Sequence, residues 1–143
     1  MISILVLSCG SSNGQSEIIT MESTLIAQDN LYGNGEEGIG QQNVVISDEE
    51  SWKTLLSQMN SVNNVSDNFT ETAIDFSKYK VIAVFDELRG NGGTSLDLDI
   101  VSNSENIVVS VKSIAPEGMS LTVMEQPFVI VKILDSGLPI LFK

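Results

Sequence analysis

Asp97 and Asp99 lie in a stretch, Thr94 to Val101, that alternates strictly, with Leu96, Leu98 and Ile100 on one side and Ser95, Asp97 and Asp99 on the other. On a strand the two carboxylates share a face about 7 Å apart. That separation could serve acid/base chemistry, or a calcium ion if other groups brought the oxygens to about six or more. A solvated strand face explains the spacing with nothing added, so no catalytic or metal-binding role is assigned to the pair. Other chemistries are narrowed by composition. The 143 residues contain no histidine and one cysteine, which removes the commonest general base, the commonest neutral metal ligand and any internal disulfide. The six lysines are scattered, leaving only Ser/Lys or carboxylate-pair mechanisms. A chain without catalytic residues, metal or cofactor is expected.

The cysteine has an informative position. Met1 to Leu7 is a short apolar run, followed by Ser8, Cys9 and a Gly/Ser/Asn spacer that reaches Glu17. The pattern is similar to a bacterial lipobox, in which cleavage after Ser8 makes Cys9 the new N-terminus and acyl chains on Cys9 hold the protein to a membrane. Only Ile2 to Leu7 precede Ser8, short of the about 7 to 15 apolar residues of a secretory signal, which leaves a start upstream of Met1 open. The expected organisation is a signal remnant over 1–8, a tether over 9–20 and one domain over 21–143. This places the protein outside the cytoplasm, anchored by lipid in the bacterial envelope on the outer membrane or cell surface.

Charge narrows the partners. Seven basic against nineteen acidic residues give a net charge of −12, which repels nucleic acid and anionic headgroups alike. Membrane attachment is therefore expected only through lipid on Cys9. The sole arginine, Arg89, precedes Gly90, Asn91, Gly92 and Gly93. A lone cation beside uncovered backbone amides is a candidate partner contact, formed by Arg89, Asn91, Gly92 and Gly93. Tight-turn geometry also accounts for the two adjacent glycines. A second glycine-rich loop, Gly33 to Gly40, carries acidic residues and no lysine or arginine, so it does not read as a phosphate cradle.

The elements that position these residues follow from periodicity. Tyr79 to Phe85 is apolar on both alternating faces apart from Lys80, the mark of a central strand covered on two sides. With Thr94 to Val101 it is expected to form a hairpin closed by the Arg89–Gly93 turn. Strands are also predicted at Thr24 to Ala27, ended by Asp29-Asn30 or carried on through Leu31-Tyr32, and at Gln41–Ile46, Ile107–Lys112, Leu121–Met124, Phe128–Ile133 and Pro139–Phe142, with Gln126–Pro127 as an interruption. One helix is predicted over residues 48 to 60. Ser47 and Glu50 form its capping box, and Trp52, Leu55, Leu56 and Met59 form a stripe facing the sheet. Phe69, Ile74 and Phe76 anchor the polar segment after it. The fold class is α+β: a mostly antiparallel curled sheet or sandwich with one main helix. Connections of about 3 to 6 residues are too short for parallel crossovers.

Several of these segments together carry a family resemblance. The run Asp75 to Phe85, the Gly92-Gly93 turn before an alternating strand, the Pro116-Glu117-Gly118 turn and the strand Pro127 to Ile133 resemble the PrcB family. These are small secreted or lipid-anchored bacterial proteins named for a component that stabilises a surface protease complex. The resemblance spans roughly Val45 to Phe142 and includes the Ser51-Trp52 helix. Thr94 and Phe128 stand where family members often carry tyrosine. The resemblance implies an accessory or protein-interaction module of the envelope, with a protease complex as partner. A carbohydrate or small-ligand binding module is the alternative.

Overall fold

The computed structural model describes residues 17–90, 92–116, 118 and 123–143. Among them the chain forms β1 (Ile19–Thr20), β2 (Thr24–Leu31), β3 (Gln42–Ile46), α1 (Glu49–Met59), β4 (Tyr79–Phe85), β5 (Ser95–Ser102), β6 (Ile107–Ile114), β7 (Gln126–Leu134) and β8 (Ile140–Phe142). Two four-stranded sheets stack face to face, one ordered β2-β7-β4-β3 and the other β1-β5-β6-β8. The helix and the segment after it cover the outer face of the first sheet, giving an α+β sandwich of three layers. None of the described helices is long and apolar enough to cross a membrane.

The two-sided apolar pattern of β4 and β7 has a direct physical outcome. Val81, Ala83, Phe85, Phe128 and Ile130 point to the helix layer, where they meet Trp52, Met59, Leu31 and Ile46. Ile82, Val84, Val129, Val131 and Ile133 point into the seam between the sheets, against Leu96, Ile100, Ile107 and Val109. Strands buried on both faces belong in the middle of a middle layer, and β4 and β7 pair with each other there. β5 has one dry face and one wet face, as its alternation demands, and lies in the outer sheet with Asp97 and Asp99 exposed.

That difference corrects the expected hairpin. β4 pairs with β3 and β7, whereas β5 pairs with β1 and β6, so residues 86–94 carry the chain from one sheet to the other. A strand needing cover on both faces and a strand needing water on one face do not share a layer here. β8 departs from the antiparallel rule by pairing parallel to β6. It arrives from β7 in the opposite sheet, so the short connection through 135–139 never has to cross over within one sheet.

Three local readings also change. The helix cap is Asp48 rather than Ser47: its carboxylate accepts from the Ser51 amide at 2.7 Å and the Ser51 hydroxyl at 3.1 Å. Gln126 and Pro127 lie inside β7 instead of interrupting it. Pro127 has no N–H for its neighbour Asp86, but its carbonyl accepts from the Asp86 amide, and the Gln126 side-chain amide donates to the Asp86 carbonyl at 3.0 Å. A side chain thus replaces the missing ladder bond. Of the strand expected over Leu121–Met124, residues 121 and 122 lie outside the described residues, while Val123 and Met124 are exposed and precede β7. Ile19 and Thr20, within the stretch read as tether, pair with Ser102 and Val101.

Candidate functional site

The chain beyond β4 forms a corner dense in buried polar groups. Asp86, Glu125 and Gln126 are each at most 5% exposed. The Asp86 carboxylate accepts from Arg89 Nε at 2.6 Å, from a second guanidinium nitrogen at 3.4 Å and from the Glu87 amide at 2.7 Å. This bond is the main reason the Arg89 guanidinium is held above its ordinary pKa. Arg89 is therefore not the unpaired surface cation its sequence context suggests, although part of the guanidinium still reaches solvent. Its backbone pairs with Glu125 in both directions, and Glu125 Oε1 accepts from the Gly93 amide at 2.5 Å. Gly93 has φ +97, and a Cβ there would sit 2.9 Å from Pro116 Cβ, so both backbone and space demand glycine. Gly92 is buried, and Asn91 lies outside the described residues, as does Cys9. The exposed Tyr32 ring presents its hydroxyl to Glu125, and partial burial together with that carboxylate raises its pKa.

Arg89 faces a cleft of about 410 Å³ between the two sheets, shared with Gln42, Asn43, Asp86, Ser113 and Lys143. The cleft opens on the side where β3 ends one sheet and β8 ends the other. On the opposite face of β3, a groove of about 470 Å³ runs between the strand and α1, lined by Val44, Ile46, Thr54, Leu55 and Gln58. β3 is thus a wall between two hollows of different character.

The hydrogen-bond phase of the sheet shows which β3 groups are free. In an antiparallel ladder alternate residues exchange bonds with a given neighbour. The Asp86 amide donates to Pro127 O, which fixes the even-numbered β4 residues as those bonded to β7. Val81, Ala83 and Phe85 then bond to Ile46, Val44 and Gln42, their register partners in β3. The amides and carbonyls of Asn43 and Val45 point outward, with no partner among the described residues. These two residues were not singled out by sequence, and neither were Gln42 and Lys143. The available signal was a short strand, Gln42–Ile46, without charge, proline or bulge.

The remaining candidates are placed apart from this side. Asp97 and Asp99 lie exposed on the outer face of β5, opposite Lys112 and Ser110 in register. Among the described residues no group of three or more histidine, cysteine, aspartate or glutamate side chains could hold a metal. Trp52 is fully buried and donates from Nε1 to Thr72 O at 2.7 Å, so it offers no face to a sugar. No family model matches the chain, and neither a curated protein nor a solved structure is similar to it.

Proposed function

We propose that this chain is a non-catalytic protein-interaction module of the bacterial cell envelope, held by lipid on Cys9, whose working surface is the open side of the sandwich. The observation that carries the reading is the β3 edge, uncovered among the described residues, which ends a sheet whose other edge is covered. Exposed strand edges are templates for partner strands, and folded proteins ordinarily blunt them. The resemblance to the PrcB family agrees with an accessory role beside a surface protease complex. The cleft volume gives the small-ligand alternative some support, since it falls within the roughly 300 to 1,000 Å³ of ligand sites. Yet Phe85, its aromatic lining residue, is 1% exposed and gives a glycan nothing to stack on.

Site-directed photocrosslinking in the native host tests this reading. Benzoylphenylalanine in place of Asn43 is expected to trap an envelope protein, whereas the same group in place of the exposed Leu25 on β2 is not. Equal trapping at both positions, or none at position 43, would refute the assignment of the working surface. Attachment is tested separately: Cys9→Ala in the full precursor is expected to move the protein into the soluble fraction. Unchanged membrane fractionation would contradict the lipid anchor.

A further inference from the structure

The β3 edge has the geometry of a half-finished peptide site. Any strand added to it inherits the alternation of β3, so its side chains fall by turns into the α1 groove and into the Arg89 cleft. The groove offers Val44, Ile46 and Leu55. The cleft offers the chain's only arginine together with Lys143, on a protein of net charge −12. Within it, both Asp86 oxygens are already engaged by Arg89 and the Glu87 amide, while the remaining guanidinium N–H groups have no partner among the described residues. Among the charged side chains lining the cleft, two cations, Arg89 and Lys143, face one carboxylate, Asp86, in a molecule that is acidic overall.

We propose that the β3 edge captures an extended peptide segment of another protein by strand addition, with apolar peptide side chains in the α1 groove and an acidic one in the cleft against Arg89 and Lys143. The inference rests on the interaction-module reading and specifies its occupant. Asn43 and Val45 supply the two outward amides and two outward carbonyls that hold the peptide backbone. The peptide residue opposite Asn43 carries the carboxylate, because Asn43 lines the cleft. A second copy of this chain is a poorer occupant. No residue of β3 carries charge, so a copy paired through β3 would bring no carboxylate from that strand to the cleft.

The test is fluorescence anisotropy with the full chain and a capped, labelled heptapeptide, Thr-Val-Glu-Val-Glu-Val-Thr. Its controls carry lysine for glutamate, or are N-methylated throughout. The glutamate peptide is expected to bind at least about tenfold more tightly than the lysine peptide, against the pull of the overall negative field. Lys143→Gln should weaken it severalfold. Val45→Pro removes one outward N–H and leaves the bonds to β4 in place, so binding should be lost while the cooperative melt is retained. Should that variant fail to fold, loss of binding on N-methylation gives the same result from the peptide side. Equal or tighter binding of the lysine peptide, or undiminished binding of the N-methylated one, overturns the proposal. So does concentration-dependent dimerisation that protects the Asn43 and Val45 amides, which would make a second copy the occupant. A crosslink at position 43 combined with no binding of the glutamate peptide would reject this occupant and leave the module reading standing.

Discussion

β2 and β3 end the same four-stranded sheet, yet they meet solvent in opposite ways. The register of β2 shifts between Leu25 and Ala27, a bulge that bends its edge. Thr70 then closes that edge, its amide donating to Ile26 O and its hydroxyl to Leu25 O, both at 3.0 Å. Further along, the outward amide of Asn30 is capped by the Asp29 carboxylate at 2.8 Å. The neighbouring edge of the outer sheet is treated alike: Asp97 caps the Leu98 amide, Gln28 donates to Leu96 O, and the Met21 amide donates to Ile100 O. β3 has no bulge, and among the described residues nothing caps Asn43 or Val45. Among those residues one side of the sandwich is closed by several independent devices and the β3 edge by none, which is the distribution expected if the open side has work to do.

The closed side should be the more expensive to damage. Trp52 holds the segment that carries Thr70, through its bond to Thr72 O and its burial against the helix-side core. Trp52→Ala should lose about 3–5 kcal/mol in denaturant titration. A loss below about 1 kcal/mol would mean that the helix layer does not secure the β2 cover. Next in size is Arg89→Gln, which leaves the 5%-exposed Asp86 side chain without its cation and should cost about 1–3 kcal/mol. Combining it with Asp86→Asn should recover much of that loss. If the double variant is no more stable than the single one, the pair does not hold the corner.

A smaller change would make the two edges alike. Asp29→Ala uncaps the Asn30 amide and should raise its hydrogen-exchange rate toward those of Asn43 and Val45, with global stability changed by at most about 1.5 kcal/mol. An unchanged Asn30 rate would show that the cap is not what closes the edge. The smallest effect belongs to Asp48, which lies near the open side as the α1 cap. Bonds from Ser51 depress its pKa, so its contribution is present above the ordinary carboxylate pKa of about 3.9 and fades as pH falls through the lower folded value. The stability difference between wild type and Asp48→Ala should be flat at neutral pH and shrink below about pH 4. A difference that grows on acidification would contradict that cap.

Much of the fold was legible because burial on two faces writes a pattern that few other arrangements share. Val81 to Phe85 and Phe128 to Ile133 gave both the strands and the faces that each residue occupies, and Trp52 to Met59 gave the helix. Strand partners were harder, since periodicity fixes which way a side chain points and says nothing about which strand lies alongside. Hence β4 and β5, consecutive in the sequence, read as a hairpin although they belong to different sheets. Arg89 was found by its rarity, but its bond to Asp86 depends on a corner that Glu125 and Gly93 close from 32 residues apart. The open edge itself was the least legible feature. Asn43 and Val45 differ from Gln28 and Asn30 less in type than in having nothing laid over them by the other described residues.

Residue-resolved amide exchange of the free protein tests that asymmetry most directly. The amides of Asn43 and Val45 should exchange close to the unprotected rate, while Val44, bonded to Ala83, and Asn30, capped by Asp29, should be protected. Protection of Asn43 and Val45 equal to that of Val44, at concentrations where the protein is monomeric, would show that the β3 edge is already closed and would contradict the account.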